Sequence, residues 1–315
     1  MLNKKRLILP IFILMFIFSY SLLKAETEAE GQPQEKPVEQ KMWLRQKLDQ
    51  IIVVEAEEFH HEFDSYVRFM PSRGVDAMSG KVGINHRESE YSYQFKLYGE
   101  MPMEFSVNTA YIGIENTTNV ELPAHLNTVS CGLEFTLPFF TLENAYLRTR
   151  IKPSFYDDDW NFRSSSFRLP FYTFAIFQPN ERLTYILGVA VFPDFRDKVA
   201  PVLGFIYIPN DKLTFSITPE RPNISYKMSD NLTLFAEGGF NSGEWEVTKD
   251  NIKNTILEYH ERNLGAGVKY KFNKFIQGSL SAGSAFGRRL QYRDSLGKVN
   301  IKDGFYTELR MEIRI

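Results

Sequence analysis

The sequence predicts an all-β protein, an antiparallel transmembrane up-and-down β-barrel of about 12–14 strands. Three observations carry that expectation. From about residue 62 onward apolar and polar residues alternate with the two-residue period of a strand, and no long helical periodicity appears. The polar faces hold Arg, Lys and Glu, which hydrocarbon excludes. Short and long connections largely alternate, as they do when one rim of a barrel carries tight turns and the other carries loops.

Before the alternation begins, Lys4, Lys5 and Arg6 precede the apolar run LILPIFILMFIFSYSLL, and LKA before Glu26 offers a cleavage site after Ala25. Residues 1–25 are therefore expected to be an export signal. The alternative is a retained anchor, because the run reaches the ~17-residue lower limit of a spanning helix. Removing Lys4, Lys5, Arg6 and Lys24 takes four positive charges from a chain of net charge -2, leaving -6. Such a mildly acidic chain lacks the basic balance that phosphate neutralisation by a nucleic-acid binder requires. Residues 26–61 read as a polar linker, ETEAEGQPQEKPVEQ, followed by KMWLRQKLDQII, in which Leu44, Leu48, Ile51 and Ile52 have the spacing of a short amphipathic helix.

The barrel domain is expected over 62–315. Its strands fall near 62–71, 81–99, 102–115, 126–137, 144–155, 166–177, 183–192, 200–208, 211–218, 221–228, 231–240, 261–272, 275–287 and 304–315. LTFSIT, LGAGVKYKF and IQGSLSAGSAF each divide into an apolar and a small or polar face. QPNER, IPNDK, KMSDN and KFNKF suit tight reversals through Pro, Asn and Asp. Residues 157–166, 241–262 and 288–303 read as long connections, with NIKNTILEYH offering a turn or two of helix and 241–262 the best candidate for a lid. In GKVGINHRESEYSYQFKLY the apolar phase changes between His86 and Tyr91, which suggests one bulged strand or two short ones.

The closing stretch FYTELRMEIRI decides which face is wet. Phe305, Leu309, Met311 and Ile313 alternate with Glu308, Arg310, Glu312 and Arg314. At the bilayer midplane an Arg or Lys costs roughly 2–4 kcal/mol, so the charged rows must turn inward. Arg148, Arg150, Lys152, Lys269, Lys271, Glu308, Arg310, Glu312 and Arg314 are accordingly expected to line the lumen. A soluble barrel would invert these faces. Aromatics near strand ends, among 27 Phe and 16 Tyr, suit the girdles of a membrane barrel. Cys131, the single cysteine, can make no intramolecular disulfide; it shares a face with Val129, Leu133, Phe135 and Leu137 and reads as a small apolar packing residue.

FYTELRMEIRI resembles the C-terminal signal by which bacterial outer-membrane proteins are recognised for insertion, departing from it in ending on Ile315 where an aromatic is usual. APVLGFIYIPNDKLTFSITPERPNISYKMSDNLTLFAEGGF, with RNLGAGVKYKF after it, resembles a bacterial family of uncharacterised outer-membrane β-barrels, most clearly over 200–315. The resemblance implies a barrel fold and an outer-membrane location, and brings no assigned reaction, ligand or catalytic residue.

Among function classes, a passive or weakly selective channel for small solutes fits best, with inward charges of both signs forming either a selective field or a salt-bridged plug. A structural, receptor or adhesin barrel is the alternative. An enzyme is the weakest of the three. His60 and His61 point to opposite faces of a strand, His86, His125 and His260 are scattered, and Ser164, Ser165 and Ser166 lack a glycine elbow. The glycines of GAG and SAGSAFG precede no helix and read as small-residue packing in strands, so no cofactor is called for. Asp157, Asp158 and Asp159 lack the spacing of a calcium loop and read as solvated charge, with a cation bridging lipopolysaccharide phosphates as the sharper reading. The expected partners are outer-membrane lipid, lipopolysaccharide and the barrel-insertion machinery, with a small solute if the lumen is open.

Overall fold

The computed structural model describes residues 60–97, 101–139, 144–218, 221–249, 252–293 and 296–315. The expected signal, linker and short helix lie outside them, save His60 and His61. The described residues form a single 17-stranded sheet. In chain order the segments are β1 (His61–Gly74), β2 (Lys81–Leu97), β3 (Met101–Asn116), β4 (His125–Pro138), β5 (Ala145–Ile151), β6 (Ser154–Asp157), β7 (Phe167–Arg168), β8 (Phe171–Asn180) and β9 (Leu183–Val191). They continue with β10 (Val199–Asn210), β11 (Leu213–Ile217), β12 (Asn223–Lys227), β13 (Leu232–Lys249), β14 (Ile252–Lys271), β15 (Ile276–Tyr292), β16 (Lys298–Ile301) and β17 (Gly304–Arg314).

Segments β5 and β6, β7 and β8, and β16 and β17 each continue one another, so the closed barrel has 14 strands. Two of the interruptions fall at Pro153 and Pro170, which have no N–H to give the ladder. Their carbonyls still serve it: Cys131 N donates to Pro153 O at 3.0 Å and Lys152 N to Pro170 O at 2.9 Å. Neighbours in sequence pair antiparallel around the ring, and β1 closes it on β17 from Glu62↔Arg314 to Phe69↔Thr307. His61 and Ile315 exchange two backbone hydrogen bonds of 2.8 Å at the seam.

The pleat then assigns each residue a side. Phe305 and Leu309 are 70% and 61% exposed, whereas Tyr306 and Glu308 between them are 1% and 2% exposed. Leu187, Leu203, Leu264 and Leu280 extend the exposed apolar face to other strands. A continuous apolar belt on the outside of a closed ring is the signature of contact with lipid, because water would leave it unsatisfied.

Tight turns occupy one rim. Asn180, Asn210 and Asn273 each fold their side-chain oxygen back onto backbone N–H groups two or three residues on, at 2.8–3.0 Å. Both ends of the barrel chain lie at this rim, while 75–80, 117–124, 158–166 and 192–198 lie at the other.

Several expectations need correction. The stretch 241–262 is not a loop and holds no helix: β13 and β14 continue through it as a hairpin, paired from Asn241↔Glu261 to Lys249↔Ile252. Likewise, within the expected connection 288–303, β15 runs on to Tyr292 and β16 (Lys298–Ile301) pairs back onto it. Residues 81–97 make one strand, paired with β3 without a register shift from Val82↔Asn116 to Leu97↔Met101. Its apolar phase changes because the interior changes. Near the tight-turn rim Tyr91 and Tyr93 are apolar residues facing out, whereas at the opposite end Val82 and Ile84 face in and are wholly buried. Cys131 is exposed on the outward row rather than packed.

If the outward row meets hydrocarbon, Leu309→Arg should lower the unfolding free energy of the vesicle-embedded barrel by roughly 2–4 kcal/mol. Guanidinium titration followed by tryptophan fluorescence measures this, and an unchanged midpoint would show that the row does not touch lipid.

Candidate functional site

Two zones fill the barrel interior. Toward the tight-turn rim the inward rows are ionic. Arg68 on β1 places Nε and Nη2 2.9 and 2.6 Å from Glu308 Oε2 and Nη1 3.2 Å from Glu261. Glu308 also accepts from Arg221 Nη2 at 2.8 Å, and Arg221 Nε donates to Glu237 at 2.6 Å. Arg310 Nη1 lies 2.8 Å from Asp64 Oδ2, Arg314 Nε 3.2 Å from Glu62, and Lys269 Nζ 3.3 Å from Glu312, which Gln277 also contacts. Across the barrel wall, Glu134 joins Arg148 at 3.3 Å to Arg150 at 2.7 Å. Guanidinium planes cover inward rings, with Arg68 4.8 Å above Tyr306 and Arg310 4.7 Å above Tyr66.

Seven of the nine residues expected to line the lumen thus sit in named ion pairs or hydrogen bonds: Arg148, Arg150, Lys269, Glu308, Arg310, Glu312 and Arg314. Lys152 borders the cavity described next, and Lys271 pairs in register with Gln277 near the turn rim. Sequence reasoning overlooked their partners. Glu62, Asp64, Tyr66 and Arg68 alternate as plainly as Glu308, Arg310 and Glu312 do, so that row was available. Arg221 opened the expected strand 221–228 on the polar row of Asn223, Ser225 and Lys227 but was not singled out, and in the structure it lies just before β12.

A cavity of about 570 Å³ remains within the ionic zone, bounded by Asp64, Glu88, Glu90, Glu104, Arg150 and Arg310 among others. The wall formed by β8, β9 and β10 has a different character. Register carries the inward rows of Arg148 and Arg150 on to Phe174 and Tyr172, then to Gly188 and Ala190, then to Val202 and Ala200. Ile176, Ile186 and Gly204 continue the same inward set. This sector is apolar on both faces, which period-two reading of the outward residues alone does not reveal.

Toward the other rim the interior is dry. Met70, Val82, Ile84, Ile112, Ile114, Leu126, Trp245, Val247, Leu257, Tyr259, Leu290, Tyr292 and Val299 form a buried apolar cluster. The hairpin of β13 and β14 supplies its lid. Beyond Glu237 β13 parts from β12 while β14 stays paired with β15 as far as Leu257↔Tyr292, and the hairpin reaches β6, where Glu246 bridges to Asp157. Trp245 Nε1 donates to Thr128 Oγ1 at 3.1 Å and its ring meets Tyr156 edge-on at 6.0 Å.

Loops hold the hairpin from its upper face. Ser165 Oγ donates to Glu246 at 2.8 Å, Thr248 N to Asp158 at 3.2 Å, and Arg196 N to Glu244 at 2.7 Å; Arg293 also contacts Glu244. The triple acid is built into this clamp. Asp157 accepts from Trp160 N and Phe162 N, two residues with φ of 58° and 35°, and Asp159 pairs with Arg163. Burial pushes the carboxyls of Asp158 and Glu244 above their ordinary range, against the backbone N–H groups that favour their charged forms. Among the described residues no group of three or more His, Cys, Asp or Glu could hold a metal ion.

The model of a domain of unknown function, DUF6268, matches residues 99–311. An outer-membrane channel from Pseudomonas putida F1 is 12% identical, with 82% of this chain and 96% of that one covered at a TM-score of 0.45. A mutant of the monoaromatic hydrocarbon channel TodX is 8% identical over 84% of this chain and 92% of that one, TM-score 0.43. A FadL homologue from Pseudomonas aeruginosa is 12% identical over 81% and 90%, TM-score 0.39. Likeness at that level says nothing of what the lumen carries. No curated protein matches the chain. The chain belongs to the DUF6268 family.

Removing Arg68 takes the ion pair from Glu261, leaving it Asn241 and Tyr259, and leaves Glu308 to Arg221 and Arg310, so Arg68→Met should cost about 3 kcal/mol in chemical unfolding. Arg314→Met, at a partly exposed pair, should cost under ~1 kcal/mol by the same measurement.

Proposed function

We propose that this member of the DUF6268 family is an outer-membrane channel for small solutes whose outer mouth is shut by its own β13–β14 hairpin. The observation that carries the reading is the path of that hairpin: β13 parts from β12 after Glu237 and bridges across to β6 through Glu246 and Asp157, while β14 stays on β15, above a lumen that still holds about 570 Å³. A wall strand that only completed the ring would have no reason to cross it. The long-connection rim faces outward in this reading, as in barrels whose short turns face the periplasm.

The ionic rows neutralise one another across the lumen, so the conduit discriminates weakly by charge. The apolar inner sector on β8 to β10 opposes them, and together the two walls suit a solute with an apolar body and a polar end. The dry cluster beneath the hairpin favours a second reading, a permanently closed structural or surface barrel. The β17 strand is the segment we assign to recognition by the insertion machinery, and the non-enzymatic role extends to both readings.

One deletion separates the two. Glu244 and Glu258 face each other in register, so 245–257 can be replaced by an Asn-Gly turn. In planar bilayers the shortened barrel should show discrete conductance steps more than tenfold more often than the full chain. Silence from both, with normal heat-shifted mobility, would establish the closed barrel. Acidity gives a further check. Docked Asp158 and Glu244 hold protons more readily than free carboxyls do, so falling pH toward the carboxylate range favours the docked hairpin. Open probability should therefore fall on acidification, and a rise would contradict the clamp.

A further inference from the structure

The outer surface of the wall carries a site that conduction does not use. From Lys271↔Gln277 to Arg262↔Phe286, β14 and β15 pair without interruption, and pairing resumes at His260↔Arg289. The extra residue on β15 falls at Gly287, whose φ of 59° only glycine adopts at little cost. A bulge moves every later side chain to the opposite face. Arg289 therefore joins the outward row while Arg288 turns in, and the wall opens there into a cavity of about 970 Å³ that both rows line, Phe240, Arg262 and Arg289 from the outward one and Glu261 and Arg288 from the inward one.

The cavity is lined by Arg262, Arg289, Lys302 and His260, with Arg288 among its buried lining residues. Arg288 is 2% exposed, and although Nη2 donates to Lys302 O at 2.5 Å, Nε and Nη1 have no hydrogen-bond partner; Arg289 Nε has none either. Buried guanidinium donors without acceptors are costly, and a bound anion would satisfy them. Three acids also border the space. Glu261 is already taken by Arg68, Asn241 and Tyr259, Asp303 accepts from Gly287 N at 3.4 Å, and Asp76 remains, so the balance stays positive.

Position identifies the kind of anion. Arg262 precedes Leu264, 62% exposed, on the outward row of β14 and lies nearer the long-connection rim, as Lys302 does relative to Phe305, 70% exposed. The cavity therefore sits where the apolar belt ends, at the depth of lipid headgroups, on the long-connection rim. Phe240, 67% exposed beneath the Arg262 guanidinium at 6.0 Å, offers an apolar flank to an acyl chain. We propose that this site binds the phosphate of an outer-leaflet lipid, the phosphorylated headgroup of lipopolysaccharide. The assignment rests on the outward orientation given above but not on conduction.

Native mass spectrometry and thermal unfolding of the purified full barrel, titrated with diphosphorylated lipid A, dephosphorylated lipid A or inorganic phosphate, test it. Diphosphorylated lipid A should bind at least tenfold more tightly than the dephosphorylated form and raise the unfolding temperature. Arg262→Ala/Arg289→Ala, on the outer surface, should lose that preference while keeping the apo unfolding temperature. Arg288→Met should raise the apo temperature and abolish the lipid-dependent rise. Equal binding of both lipids, or a preference that survives in Arg262→Ala/Arg289→Ala, would overturn the site. Full protection by inorganic phosphate, with no gain from the lipid, would overturn the lipid assignment. Because none of these readouts is a conductance, a silent channel leaves them interpretable.

Discussion

Hydrocarbon offers a backbone no hydrogen-bond partner, so each unpaired N–H or C=O in it costs several kcal/mol, and a sheet that crosses a bilayer must close on itself. That constraint makes the pairing of β1 with β17 the contact on which the molecule depends. Once the seam is made, the pleat sends alternate residues to two solvents. Lipid receives the Leu and Phe rows, and an enclosed space receives everything else. Strand number then fixes the width of that space, which the chain must fill with its own side chains or leave to water.

The space is filled by two chemistries because its two ends differ in access to water. Near the tight-turn rim the inward Arg and Glu residues are numerous enough to satisfy one another. Arg68, Glu308, Arg221 and Glu237 form a chain of contacts in which each buried charge has at least one opposite neighbour. Toward the other rim a folded-over hairpin excludes water, and burying unpaired charge there would be expensive, so Ile84, Leu257 and Leu290 replace the ionic rows. The same side of the same strand is thus polar at one height and apolar at another.

The hairpin is clamped on both faces by groups that would otherwise be costly. Trp245 brings a large ring into the dry cluster and still places its N–H on Thr128. On the upper face Glu244 and Glu246 accept from loop donors, Arg196 N and Ser165 Oγ, and the loop's Asp158 accepts from Thr248 N of the hairpin. The hairpin is therefore held by burial and polar satisfaction together.

How much of this could be read from the chain follows from where the signal is local. Alternation in FYTELRMEIRI and LGAGVKYKF, and Asn-centred turns such as IPNDK, arise from residues within one strand or one turn, so strand positions were legible to within a few residues over most of the barrel. The glycines of GAG and SAG were legible as packing residues, and Tyr306 lies against Gly265 and Gly283. The hairpin at 241–262 was not legible as strand, because Glu, Lys and Asn interrupt a period whose two sides face a dry core and a set of loops instead of lipid and lumen. The phase change after His86 was visible, but its cause was an interior that varies with height, a property of the assembled ring. By itself the sequence determined which residues alternate and which must avoid hydrocarbon, since both depend on neighbours two positions away. Only the tertiary structure decided that the β13–β14 hairpin meets β6, that Arg221 pairs with Glu237 and Glu308 and that Arg288 keeps two donors without acceptors, because these depend on residues brought together by closure of the ring from strands far apart in the chain.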